Sequence, residues 1–212
     1  MNRLIQKVAA CFTVVCLLAG LSACGSSSDD GSSVLAQVED RKITEQELEE
    51  FSAISMQMMG YDAGAITEEQ REQFLNELVE IQVVRTYFEQ NGQDVYGDEF
   101  EESAQSFVDS AHESASDFLD KYNISDEALK EYYGGQFAVS ALFMEIQSRY
   151  AQEDLYSLAK EYYEEHRTEF VNSDGSYEEL DDVIQPVYYA LYSEFYRERV
   201  DELKEDMEIE IR

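Results

Sequence analysis

Tryptophan is absent from the 212 residues, proline occurs once, at Pro186, and histidine twice, at His112 and His166. The three cysteines, Cys11, Cys16 and Cys24, all fall near the start. The ~190 residues beyond them can form no internal disulfide and must be held by their own core. A chain of that length with 44% hydrophobic content supports one domain of ordinary size without covalent staples. Positive charge is the scarcest commodity: 15 Lys+Arg stand against 47 Asp+Glu, a net charge of -32. Nucleic acid is thereby excluded as a partner, since phosphate backbones are bound by basic patches. Anionic lipid headgroups would repel such a surface. The excess acid serves either solubility or a preference for basic partners, and composition alone does not choose between them.

The same scarcities limit the chemistry. A nucleophilic triad needs a base beside its Ser or Cys, and neither His112 nor His166 sits in a recognisable signature. There is no Cys pair and no HExxH, and Asn172-Ser173-Asp174-Gly175 lacks the ligand spacing and terminal Glu of a calcium loop. Gly134-Gly135 stands without the pattern of a phosphate-binding loop. Paired carboxylates are uninformative, because 47 acids make pairs by chance. No catalytic residue, metal or cofactor is expected.

One long apolar run is present, at the N-terminus. Arg3 and Lys7 precede Val8 to Leu21, interrupted only by Thr13 and Gly20. The run is shorter than the ~20 residues a membrane-crossing helix needs, and small residues follow it, so residues 1–23 read as a cleaved signal peptide. Leu21-Ser22-Ala23-Cys24 resembles the lipobox of bacterial lipoproteins, in which the cysteine carries a diacylglyceryl group. That resemblance implies lipidation at Cys24 and an extracytoplasmic body anchored to the membrane through its lipid. The alternative is an ordinary signal peptide with a coincidental cysteine, but residues 24–33, with Gly25 to Ser33 reading GSSSDDGSS, have the composition of a flexible tether. Two acyl chains at roughly 0.8 kcal/mol per buried methylene give durable attachment. Without Arg3 and Lys7 the balance becomes 13 against 47, or -34.

The body, residues 34–212, reads as mainly α. Val34 to Val38 is a short strand-like run, and Glu39-Asp40-Arg41-Lys42 reads as the turn after it. Thr44 with Glu47 makes a capping box, flanked by the hydrophobic staple Ile43 and Leu48. Leu48, Phe51, Ile54, Met58 and Met59 follow at helical spacing until Gly60 to Gly64. Thr67 with Gln70 opens a second helix through Phe74, Leu78, Ile81, Val84 and Phe88, stopped by Asn91-Gly92. Residues 93–121 are sparser in apolar positions and read weakly as helix. Ser125 caps a helix to about Tyr133, Gly134-Gly135 reads as its end, and a further helix carries Val139, Leu142, Phe143, Ile146 and Tyr150. Leu155, Leu158, Ala159, Tyr162 and His166 mark another, ending near Phe170. A last helix, residues 177–204, is read as capped by Ser176 with Glu179 and kinked at Pro186. The alternation at residues 207–211 is a short strand, and its available partner is Val34 to Val38.

This order of elements resembles the extracytoplasmic chaperones of the SurA and PrsA type, related in their chain-binding part to trigger factor. VLAQVEDRKITEQELEEF is similar to that family's opening strand, turn and helix start. ITEEQREQFLNELVEIQVVRTYFEQNG looks like its second helix, ISDEALKEYYGGQFAVSALFMEIQ its later helix pair, and EDLYSLAKEYYEEHRTEF its "Y-Y-x-x-x-x-x-x-F" helix. The final stretch from Tyr177 to Ile211 looks like the helix that returns a strand to the N-terminal lobe. The resemblance covers most of Val34 to Ile211, with residues 93–121 poorly matched. It implies a multi-helix chain-binding module with a small β element pairing the N- and C-terminal strands. In that family one or more parvulin-type prolyl isomerase domains lie where only Val171 to Ser176 stand here, so no isomerase activity is expected.

Two surfaces are candidates for polypeptide contact. Met56, Met58 and Met59 with Tyr61 form one, because thioethers adapt to varied apolar partners, unless they belong to the core. Tyr188, Tyr192 and Tyr196 form the other, beside the apolar row Val187, Leu191 and Phe195; tyrosine serves equally to cradle a chain or to cover a small core. Two functions fit. One is a membrane-tethered holdase for unfolded or newly exported polypeptides. The other is a scaffold lipoprotein for one dedicated envelope partner. A solute-binding lipoprotein is disfavoured, because alternating strand and helix units are lacking.

Overall fold

A computed structural model describes residues 33–97, 100–150, 152–172 and 175–212. The signal peptide, Cys24 and nearly all of the tether lie outside the described residues. Ser32–Arg212 forms one compact unit. Its elements run β1 (Val34–Val38), β2 (Arg41–Thr44), α1 (Glu45–Met58), α2 (Glu68–Gln90), α3 (Phe100–Tyr122), α4 (Asp126–Arg149), α5 (Gln152–Glu165), α6 (Leu180–Glu205) and β3 (Ile209–Ile211). The fold is therefore mainly α with one small sheet.

That sheet is antiparallel in the order β2-β1-β3. The last strand returns to the first, with Ala36 opposite Ile211 and Val38 opposite Ile209, as expected from the alternation at residues 207–211 and the strand-like run at Val34 to Val38. The strand at Arg41–Thr44 is a correction. Only Glu39 and Asp40 turn, with Glu39 in the left-handed region at φ 50°, and Arg41 already pairs with Val38. Thr44 ends this strand and at once caps α1, accepting from the Glu47 N–H while the Glu47 carboxylate accepts from the Thr44 N–H. A four-residue strand merging into a helix cap shows no alternation of its own.

The capping boxes at Thr44 and Thr67 and the cap at Ser125 are all formed. Chain stops are local too. Gly60 takes φ 78°, the Tyr61 N–H donates to Met56 O and the Gly60 N–H to Gln57 O, the αL arrangement that closes a helix end. Residues 100–122, the weakest stretch in the sequence, form α3, though Ala115 leaves helical geometry inside it.

The core has two parts. The larger gathers β1, β2, α1, α2, α3, α4 and the end of α6. At its centre run Phe51 to Met56 of α1 and Ile81 to Arg85 of α2, buried on every side. Each fully buried Leu, Val or Ile contributes about 1.5–3 kcal/mol over its exposed state. The smaller core joins Ala159 and Tyr163 of α5 to Val183, Val187 and Leu191 of α6.

Gly134 and Gly135 do not end a helix; α4 passes through both. They are where α4 meets α2. A Cβ on Gly134 would stand 2.8 Å from Arg85 Nη2, and one on Gly135 would stand 3.0 Å from Ile81 Cγ2. Arg85, 8% exposed, donates to Glu131 Oε2 at 2.5 Å and to the Glu131 carbonyl at 2.8 Å. Arg41 of β2 joins the same carboxylate at 3.1 Å. Burial works against ionisation of Glu131, but the two guanidiniums outweigh it and hold its carboxyl below the ordinary range. Strand, α2 and α4 are thus tied through one carboxylate.

The last helix starts three residues later than the Ser176 cap would place it. Its N-cap is Glu179, which makes no side-chain cap bond. Ser176 instead serves the preceding turn, its carbonyl accepting from the Asn172 N–H at 2.8 Å. Pro186 lies inside α6 on an exposed position.

Candidate functional site

α6 is about 39 Å long at 1.5 Å per residue, and its two halves do different things. Val200 and Leu203 close the main core, while Val183, Val187 and Leu191 face α5. α5 packs mainly on α6. The two form a helical arm, joined to the body where Phe195 stacks on Tyr150, the C-cap of α4, at 4.5 Å. At its far end an antiparallel bridge pairs Val171 with Tyr177, and Tyr163 donates its hydroxyl to the Glu178 carbonyl. The link between α5 and α6 is thus hydrogen bonded across its base.

The methionine group divides. Met56 is 5% exposed and belongs to the core, which corrects its assignment as a contact residue: it falls on the inner face of α1, in line with Ser52. Met58 and Met59, a half-turn on, are 63% and 55% exposed, and Tyr61 is 63% exposed. The turn that presents them is fixed. Asp62 accepts from the Gly64 N–H and the Tyr122 hydroxyl, each at 3.0 Å, and Lys121 lies 3.8 Å away. Those three partners, the backbone N–H first, hold the Asp62 carboxyl below its ordinary range.

The tyrosine row also divides. Tyr196 lies flat against Phe143 of α4, 4.6 Å between centroids and 6° between planes. Burial, then the carboxylates of Glu80 and Glu77, push its hydroxyl above the ordinary range. It is a packing residue of the α4–α6 contact, and this corrects its assignment to an open surface. Tyr192 stands edge-on to Phe195 at 6.2 Å. Tyr188 is half-buried against the arm's core. The methionine turn and the tyrosine row share no ring contact or hydrogen bond among the described residues.

Other exposed apolar groups escape a reading by spacing. Tyr189 is 78% exposed, and Tyr156, Tyr177 and Val171 on the same arm and Met144 on α4 are also exposed. For Val171, Tyr177 and Tyr189 the signal in the sequence is charge, since no Lys, Arg or His occurs between Arg167 and Arg197. Both histidines are held locally. His112 Nε2 lies 2.7 Å from Asp126 Oδ1, and His166 stacks on Tyr162 with Nδ1 2.9 Å from its carbonyl. Among the described residues no set of three His, Cys, Asp or Glu is placed to hold a metal, and no helix is long and apolar enough to cross a membrane. No family model matches the chain, and no curated protein or solved structure matches it.

Proposed function

We propose that the chain is a membrane-tethered extracytoplasmic holdase, a SurA/PrsA-like lipoprotein anchored through Cys24, which binds unfolded polypeptides without catalysis. The observation that carries this reading is the exposure of large apolar side chains on an otherwise closed and strongly acidic body. Met58, Met59 and Tyr61 project from one braced turn, and Tyr156, Tyr177 and Tyr189 from the arm. Such side chains bury apolar area on whatever chain meets them, and thioethers and tyrosines accommodate varied partners. The charge keeps the body soluble while these groups stay uncovered.

The order of the elements adds support. The C-terminal strand pairs with the strand that follows the tether, the arrangement that the family resemblance implies. The Arg212 N–H donates to Leu35 O, so both ends of the body meet at one side of the sheet. A ten-residue tether of Gly and Ser type has a root-mean-square span of about 17 Å, which leaves that side near the membrane.

Aggregation of a chemically denatured client, diluted into buffer with and without the body, tests the function. Suppression that rises with the amount of body and needs no nucleotide supports it. No suppression of any client at several-fold excess, together with recovery of one stoichiometric folded partner from membranes, would replace it with the scaffold reading.

A further inference from the structure

β3 leaves one side of the sheet open. The Glu39 N–H donates to Glu208 O and the Arg212 N–H to Leu35 O, with Glu210 opposite Gln37 between them. Residues 208, 210 and 212 therefore turn their backbone groups toward β1, and in an antiparallel ladder the residues between them turn theirs away. Because β3 ends the order β2-β1-β3, the N–H and C=O of Ile209 and Ile211 lie along a free edge. The side chains repeat the pattern. Ile209 and Ile211 share a face with Ala36 and Val38, which are fully buried, yet Ile211 is 57% exposed. The apolar face of the sheet thus runs past its last strand, and a fourth strand would both continue the ladder and cover Ile211.

The charge of the edge selects what can join it. Sheet edges are commonly guarded by proline, by lysine or by inward-pointing charges. β3 reads Ile209-Glu210-Ile211 and has none of these. Its guard is acid, since Glu208 and Glu210 point to the opposite face from the isoleucines, and the Glu39 carboxylate stands beside them, accepting from the Glu208 N–H at 3.1 Å. Arg212 lies 3.5 Å from Glu210, while Glu39 and Glu208 have no cation partner among the described residues. Like charges on neighbouring strands destabilise and opposite charges stabilise. Acid at this edge turns away a second copy, which brings the same edge and a net charge of -32, and admits a strand whose outward residues are basic.

We propose that β3 takes up extended segments in which apolar and basic residues alternate, adding them to the sheet as a fourth strand. Their backbone pairs with Ile209 and Ile211, their apolar side chains cover Ile211, and their basic ones lie beside Glu208 and Glu210. The assignment rests on the chain-holding function and gives it one place and one class of sequence. The probe is a short fluorescein-labelled peptide of alternating valine and lysine, titrated with the body and read by anisotropy. Beside it stand a peptide of the same composition in two blocks and the alternating peptide with its backbone N-methylated; each should bind at least about tenfold more weakly. Ile211→Pro removes an N–H that points away from β1, so it should keep the parent's urea midpoint and weaken binding about fivefold. Amide exchange on the unsubstituted body reports the place: the Glu210 and Arg212 N–H groups are slow in the free body, and those of Ile209 and Ile211 become slow when the alternating peptide binds.

Protection gained at Ile209 and Ile211 with the alternating peptide supports the assignment. Equal binding of the alternating, block and N-methylated peptides would overturn it in favour of attraction by charge alone. Protection at those amides without peptide, in a body that sediments as a dimer, would overturn it in favour of a second copy. If Ile209 and Ile211 keep exchanging under excess peptide while the body still suppresses aggregation, the edge falls and the holdase stands. If suppression is absent as well, both fall.

Discussion

Replacing Gly134 by Ala sets two effects of known size against each other. In an ordinary helix interior the change stabilises by about 1 kcal/mol, and nothing in the backbone of α4 opposes it, since Gly134 is not among the residues with positive φ. The added Cβ, however, would lie 2.8 Å from Arg85 Nη2 and 3.4 Å from Phe100 Cζ. Arg85 must move, and its route is to release the bond from Nη2 to the Glu131 carbonyl. A hydrogen bond to a charged group is worth about 1.5–3 kcal/mol, and the buried Nε already lacks a partner among the described residues. The net expectation is a loss of about 0.5–2 kcal/mol, read as a lower urea midpoint with an unchanged slope. In an Arg85→Leu background the clash is gone, and the same Gly134→Ala change should stabilise by up to about 1 kcal/mol. A Gly134→Ala protein more stable than its parent would refute the clamp.

Other expectations test separate parts of the account. Although Glu77 is exposed, the protein atoms crowding its carboxyl and then the neighbouring Glu80 hold it above its ordinary range, so its contribution to stability is present in acid and lost as pH rises through the folded value. Glu77→Gln should therefore be more stable than the parent at neutral pH and no more stable in acid; equal urea midpoints at both would remove Glu77 from the account. Under limiting hydrogen peroxide, peptide mapping should find sulfoxide at Met58, Met59 and Met144 well before Met56, and early oxidation of Met56 would contradict its burial. Cys24→Ala should abolish metabolic labelling with a fatty acid, and label that persists would end the lipoprotein reading. Turnover of a proline peptide above buffer would contradict the expected lack of isomerase activity.

What the sequence made legible was chemistry acting within a few residues. Thr44 with Glu47, Thr67 with Gln70, Ser125, Gly60 and Gly92 work through neighbouring backbone groups, and all stand as their local patterns imply. The pairing of first and last strands was legible because residues 207–211 alternate and Val34 to Val38 offered the one other strand-like run. Gly134-Gly135 misled because its cause, Arg85 and Ile81, lies about fifty residues away on another helix, and a glycine needed for close approach looks the same in sequence as one that ends a helix. Ser176 misled in the opposite way: a good cap residue was drawn into the turn that closes the arm. Proximity along the chain grouped Met56, Met58 and Met59, and helical spacing grouped Tyr188, Tyr192 and Tyr196. Neither tells which of them meets a neighbour such as Phe143 and which faces water. Tyr189 was hidden because a lone exposed aromatic has no period, and the missing cations around it became informative only once the arm had a shape.

The central claim is that the body recognises the unfolded state of a polypeptide. The direct measurement is binding of the body to one protein in two forms, native and permanently unfolded by reduction and alkylation, followed by fluorescence anisotropy under identical buffer. Saturable binding of the unfolded form, with the native form unbound over the same range, is the predicted result. Equal affinity for both forms, or binding of neither, would contradict the claim.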